Sequence, residues 1–171
     1  KNLFYLCNVK QTIAMNYQEV IDNIYQEVKP LFGKGKVADY IPALANVNPQ
    51  QYGIAIATLD GQLIGTGDYQ TKFSIQSISK VFTLAMVVRH MGGELWKYVG
   101  REPSGTPFNS LIQLEHEHGI PRNPFINAGA LVVTDKLMNL YHRPKEAILQ
   151  FVRGVAGNDD IYFDKLVAQS E

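Results

Sequence analysis

Residues 73–88 read Phe-Ser-Ile-Gln-Ser-Ile-Ser-Lys-Val-Phe-Thr-Leu-Ala-Met-Val-Val. The run from Val81 to Val88 has the make-up of a buried helix body, and Lys80 stands in its first turn. A helix N-terminus carries partial positive charge, so a lysine there is unfavourable by about 0.3–1 kcal/mol, and burying its ammonium costs more unless it is paired. Sequences that break a local rule tend to do so at functional sites.

Residues three apart on a helix share a face, which brings the Ser77 hydroxyl and the Lys80 amine within hydrogen-bonding reach. Burial and the helix dipole both push such a lysine toward the neutral amine, which can accept the serine proton. At the same helix end the Ser77 backbone N–H lacks an intrahelical partner and can face the anion formed when Ser77 attacks a carbonyl. Nucleophile, base and half an oxyanion hole fit in one turn, as in penicillin-binding-type Ser-x-x-Lys enzymes. The plainer reading is that a four-residue pattern arises by chance and the lysine snorkels to solvent.

Around this segment the pattern predicts mostly helices. Val20, Ile21, Ile24, Tyr25 and Val28 fall at helical spacing between Asn16 and Lys29, with Pro30 ending the run. Residues 53–66 read as a hairpin, with Asp60-Gly61 as a two-residue type I′ turn. Further helices are expected at about 128–140, with Asn127 at its N-cap, at 144–154, and from Asp160 to the end. The stretch "VGREPSGTPFNS" is a long loop rich in proline and glycine. A lone hairpin is marginally stable, so either the fold is nearly all helical or further strands lie beyond Glu171. Residues 1–14 precede Met15 and read as an extension, upstream or cloning-derived; residues 15–171 read as one domain, its helical part running from about 77 to 171.

Composition excludes several classes. With 46% hydrophobic residues the chain can bury a core. Sixteen basic residues balance sixteen acidic ones, so no net charge draws it to nucleic acid or a membrane surface. Cys7 is the only cysteine, which excludes an internal disulfide framework and suits a reducing cytoplasm. No apolar stretch reaches the roughly 18 residues of a membrane span, and no secretory signal is evident, so a cytoplasmic location is expected. The alternation Glu115-His116-Glu117-His118 could hold a divalent metal, but no further ligand cluster accompanies it and none is assigned. Arg101 and Glu102 could pair or gate a pocket, and Trp96 reads as a packing residue.

Five segments in order, "GKVADYIPALA", "FSIQSISKVF", "VGREPSGTPFNS", "PRNPFINAGAL" and "FVRGVAGNDDIYFDKLVAQSE", resemble the serine-dependent glutaminase family of bacterial type, from about residue 15 to the last. The resemblance implies an α/β fold of the α+β type, β-lactamase/transpeptidase-like, with helices mixed with an antiparallel sheet and only its N-terminal part in this chain. It implies hydrolysis of L-glutamine to L-glutamate and ammonia through an ester on Ser77, with Lys80 as general base. By the same resemblance Tyr40, Gln76, Ser77, Asn127 and Glu171 bind substrate. Read alone, Tyr40 is a half-buried loop aromatic, Gln76 an ordinary polar residue, Asn127 a helix cap, and Glu171 a solvated charge. No metal or organic cofactor is implied, since the serine supplies the covalent chemistry. A homo-oligomer, dimer or tetramer, is implied.

Family members run well past the length of this chain, so the missing part should carry further site residues and the central strands. The 171-residue chain alone is expected to be nearly inactive and poorly stable. Two rival readings stand: a penicillin-recognising serine hydrolase (β-lactamase or D-Ala-D-Ala peptidase), though no Ser-Asp-Asn motif is present, and a non-catalytic binding module.

Overall fold

The computed structural model describes residues 15–105 and 118–170. The chain divides into two compact units. One comprises the residues up to Lys72 joined by those from Leu166 onward; the other is Phe73–Lys165.

In the first unit, helix α1 spans Tyr17–Val28. The Asn16 side chain accepts from Glu19 N at 3.3 Å and donates to the Glu19 carboxylate at 3.4 Å, a reciprocal cap that fixes the helix start. Ile21 is its buried anchor. Pro30 does not stop the chain abruptly. The helix tightens into a 3-10 turn, Lys29–Leu31, whose early position needs no N–H from proline.

Strands β1 (Gly53–Ala57) and β2 (Leu63–Gly67) pair antiparallel, with Ile56 opposite Ile64, and α1 packs against both. The connecting turn differs from the two-residue type expected. Thr58 N donates to Gln62 O, and Gly61 N to Thr58 O, which leaves Leu59, Asp60 and Gly61 as a three-residue loop. Gly61 alone in this loop has positive φ, +89°, whereas a type I′ turn needs it at both central residues. Asp60 acts through its side chain, accepting from the Thr58 hydroxyl and from Gln62 Nε2.

The last helix, α5, begins at Lys165 and runs to Ser170, not from Asp160 as expected. Asn158 Oδ1 takes the Asp160 N–H at 2.8 Å and Arg153 Nε donates to Ile161 O at 2.7 Å, which holds residues 158–161 out of a helix. Within the first unit, Ala43 N donates to Ser170 Oγ at 3.4 Å.

The second unit is helical. Helix α2 spans Ser79–Met91, a 3-10 helix follows at Gly92–Lys97, and α3 (Asn127–Leu140) and α4 (Pro144–Ala156) complete it. Met86, Val87, Leu95, Val99, Val133 and Leu137 form the buried core, flanked by Ile148 and Phe151 of α4. Each fully buried side chain of this kind contributes about 1.5–3 kcal/mol of apolar transfer. Trp96 lies at the margin of this core as a packing residue, and the Arg101 guanidinium sits 5.4 Å from its ring centroid. Among the described residues, no helix is long and apolar enough to cross a membrane.

Helices α2 and α3 run side by side in the same direction. Lys80, in the first turn of α2, bonds to Asn127 at the start of α3, and His90 near the end of α2 meets the Tyr141 hydroxyl at 2.6 Å just after α3. Both N-termini therefore lie at one end of the unit.

Candidate active site

Ser77 occupies a short 3-10 turn, Gln76–Ile78, that runs directly into α2 at Ser79. The regular helix thus starts two residues after the serine. Ile78 N bonds to Ile75 O at 2.9 Å and Ser79 N to Gln76 O, so the amides of Gln76 and Ser77 are those a helical start leaves without an internal acceptor. Ser77 itself is exposed.

Gln76 has a φ of +43°, a left-handed conformation that is unfavourable for a residue with a Cβ. Its amide nitrogen donates to Ser74 Oγ at 2.8 Å. The chain is therefore sharply turned immediately before the serine.

The half-buried Lys80 finds its partners across the unit. Its Nζ donates to Asn127 Oδ1 at 2.8 Å and to Phe125 O at 3.1 Å. These two oxygens offset the unfavourable placement of a cation beside two helix N-termini. The same two dipoles favour negative charge at this end by about 0.3–1 kcal/mol each at an exposed site. A positive surround with an amine held three residues along the chain from an exposed hydroxyl is an arrangement suited to acyl transfer.

Asn127 is not the cap of α3, contrary to the sequence expectation. It is the first helical residue; Ile126, in extended conformation, occupies the cap position, and Asn127's side chain is turned to Lys80. The approach to α3 is held instead by Asn123, whose Oδ1 accepts from Phe125 N at 2.9 Å and Ile126 N at 3.1 Å. The Asn123-Pro124 pair, a turn-initiating dipeptide, was the sequence signal for this role. The carbonyl of Phe125 carried no such signal.

The structure thus unites Lys80 and Asn127, with Ser77 and Gln76 in the turn leading into α2. Tyr40 lies in the first unit, 79% exposed, at the head of the turns over 40–47. Glu171 lies outside the described residues, as do Glu115, His116 and Glu117. His118 sits in a turn with φ of +53°.

The fold is that of a known group of proteins. The family model for glutaminase matches residues 35–171, and the chain belongs to that family. It is 58% identical over 160 residues to glutaminase 2 of Escherichia coli strain K12, covering 93% of this chain and 52% of that protein. It is 56% identical over 154 residues to a glutaminase of Marinomonas sp. strain MWYL1, covering 90% and 51%. Among solved structures, Mglu in its tris and glutamate form superposes with a TM-score of 0.79 at 33% identity, covering 91% of this chain and 35% of that one. A probable glutaminase from Bacillus subtilis complexed with 6-diazo-5-oxo-L-norleucine gives 0.72 at 28%, covering 95% and 49%. The fold is accordingly the β-lactamase-like fold of the glutaminases, and the chain spans about half the length of the curated relatives it matches.

Proposed function

We propose that the protein to which this chain belongs hydrolyses L-glutamine to L-glutamate and ammonia, with Ser77 as nucleophile and Lys80 as general base. The observation that carries this reading is the placement of Lys80 Nζ between Asn127 Oδ1 and Phe125 O, three residues after an exposed serine in a sharply turned segment. A neutral lysine amine has two N–H donors and one lone pair. These two acceptors take N–H donors of the amine, and its lone pair is the acceptor proposed for the serine proton.

In the first step Ser77 Oγ attacks the side-chain amide carbon of glutamine and its proton passes to Lys80 Nζ. The tetrahedral anion is stabilised by the backbone amides at the start of the 76–78 turn and by the two helix dipoles. Its collapse breaks the C–N bond, and the leaving nitrogen takes a proton from the lysine ammonium and departs as ammonia. Water then attacks the ester carbon while giving a proton to Lys80, and Ser77 leaves with that proton restored. No metal or organic cofactor enters.

Asn127, Gln76, Tyr40 and Glu171 are assigned to substrate binding. An exposed Asn127 side chain at a helix N-terminus suits the carboxylate end of the amino acid, and a glutamate at position 171 suits its α-ammonium. Support comes from the glutaminase relatives and from the glutamate form of the Mglu structure. The reading includes a cytoplasmic homo-oligomer, dimer or tetramer.

The test is glutamate release from L-glutamine by the product of the full reading frame encoding this chain, beside Ser77→Ala, with penicillin acylation in parallel. Glutamate that vanishes with Ser77 supports the reading. A penicillin adduct on Ser77 without glutamate contradicts it and favours a penicillin-recognising hydrolase.

A further inference from the structure

Lys80 takes two acceptors, Phe125 O and Asn127 Oδ1, from one short segment, so the placement of residues 123–127 bears directly on the lysine. Phe125 contributes its carbonyl from the segment before α3, and Asn127 its side chain from the first residue of that helix. Asn123 supplies the restraint. Its Oδ1 accepts from Phe125 N at 2.9 Å and from Ile126 N at 3.1 Å, and its Nδ2 donates to Glu102 O at 3.0 Å. The peptide chain on either side of Phe125 is thus clamped within two bonds of the carbonyl that meets Lys80.

The clamp is anchored in turn. Gly100 N donates to Pro121 O at 2.8 Å and Glu102 N to Arg122 O at 3.0 Å, so residues 100–102 lie along 121–123 and the Asn123 amide adds one more rung. Pro121 is fully buried, and so is Val99 in the core. On the other side, a Cβ on Gly129 would lie 1.9 Å from Asn123 O, so the first turn of α3 packs directly on the Asn123 backbone. The clamp stands between the core and the lysine's acceptors.

We propose that Asn123 is a positioning residue for Lys80: it holds the Phe125 carbonyl and the Asn127 side chain where they orient the amine, without touching substrate. The proposal rests on the reading of Lys80 as the base, and its test is chosen to stand apart from turnover. Lys80 reactivity is measured by trace acetylation with acetic anhydride across pH, read by peptide mass spectrometry, with the exposed Lys97 as internal standard.

In Asn123→Ala the Lys80 rate relative to Lys97 rises by about fivefold or more, the scale of one lost hydrogen bond. Asn123→Ser keeps a neutral acceptor oxygen for the turn and returns Lys80 to within about twofold of the unmutated chain. An unchanged Lys80 rate in Asn123→Ala overturns the proposal, as does an Asn123→Ser rate no nearer the unmutated value. Should Asn123→Ala unfold, seen as Lys136 losing its protection over Tyr98, Asn123→Ser alone decides by the same twofold limit. In glutamate release, kcat falls with KM little changed. If no glutamate is ever released, the glutaminase reading fails while the acetylation result still decides the role of Asn123.

Discussion

Lys80 Nζ lies 2.8 Å from Asn127 Oδ1, a bond that joins the first turns of two parallel helices across 47 residues of sequence. The neutrality of the Asn127 amide is the point of this contact. Asn127→Asp places a carboxylate beside the amine and favours its charged form. We predict a loss of glutamate release of about a hundredfold near neutral pH. Glutamate-release kinetics of Asn127→Asp beside Asn127→Ala, which lacks the carboxylate, measure this.

Gln76 separates backbone from side-chain effects. Its φ of +43° suits glycine and strains a β-branched residue. Gln76→Val is expected to lower stability by about 1–3 kcal/mol, while Gln76→Gly leaves stability within about 1 kcal/mol. Both lose the bond to Ser74 and any substrate contact, so both raise KM. Thermal melts paired with kinetics check the two parts.

Gly129 tests how tightly α3 is held. A Cβ there meets the Asn123 carbonyl oxygen at 1.9 Å, and that oxygen is backbone that cannot swing aside. Gly129→Ala should destabilise by about 1–3 kcal/mol. Activity should fall by more than the folded fraction accounts for, since the same displacement moves Phe125 and Asn127. Comparing soluble folded fraction with specific activity checks this.

The hairpin turn supplies a pH dependence. The Thr58 hydroxyl holds the Asp60 carboxyl below its ordinary value; desolvation opposes it, and the Asp60 backbone and the Gln62 side chain and amide add to the lowering. A depressed carboxylate stabilises fully above its unfolded value of about 3.9, and that contribution is lost as pH falls through the folded value. Hydrogen exchange of the Gly61 and Gln62 amides should therefore quicken as pH falls below about 4 relative to the intrinsic rate. Thr58→Val should remove most of this dependence.

The sequence was a good guide wherever local periodicity decides structure. The apolar spacing of Val20, Ile21, Ile24 and Val28 placed α1 within a residue or so, and the run after Lys80 placed α2. It misplaced features set by a single side-chain bond. Asn158 drew the Asp160 amide out of the final helix, and Asp60 served its turn by its carboxylate and not by a positive φ. The site shows the same division. Ser77 and Lys80 stand out in the sequence because they are three residues apart at the start of an apolar helix. The Phe125 carbonyl does not, because it meets Lys80 from 45 residues away as a main-chain atom that no residue type announces; Asn123-Pro124 announced a turn, but not that its side chain holds the segment that meets Lys80.

The central claim is that Ser77 is an activated nucleophile within a glutamine-shaped site. The most direct test incubates the product of the full reading frame with 6-diazo-5-oxo-L-norleucine and locates the adduct by mass spectrometry. A nucleophilic Ser77 attacks the diazo-bearing carbon once it is protonated, forming a C–O bond with loss of dinitrogen. The account predicts one adduct on the peptide containing Ser77, absent in Ser77→Ala and slowed about a hundredfold in Lys80→Met. An adduct that survives Ser77→Ala, or labelling of Ser77 at an unchanged rate without Lys80, would contradict it.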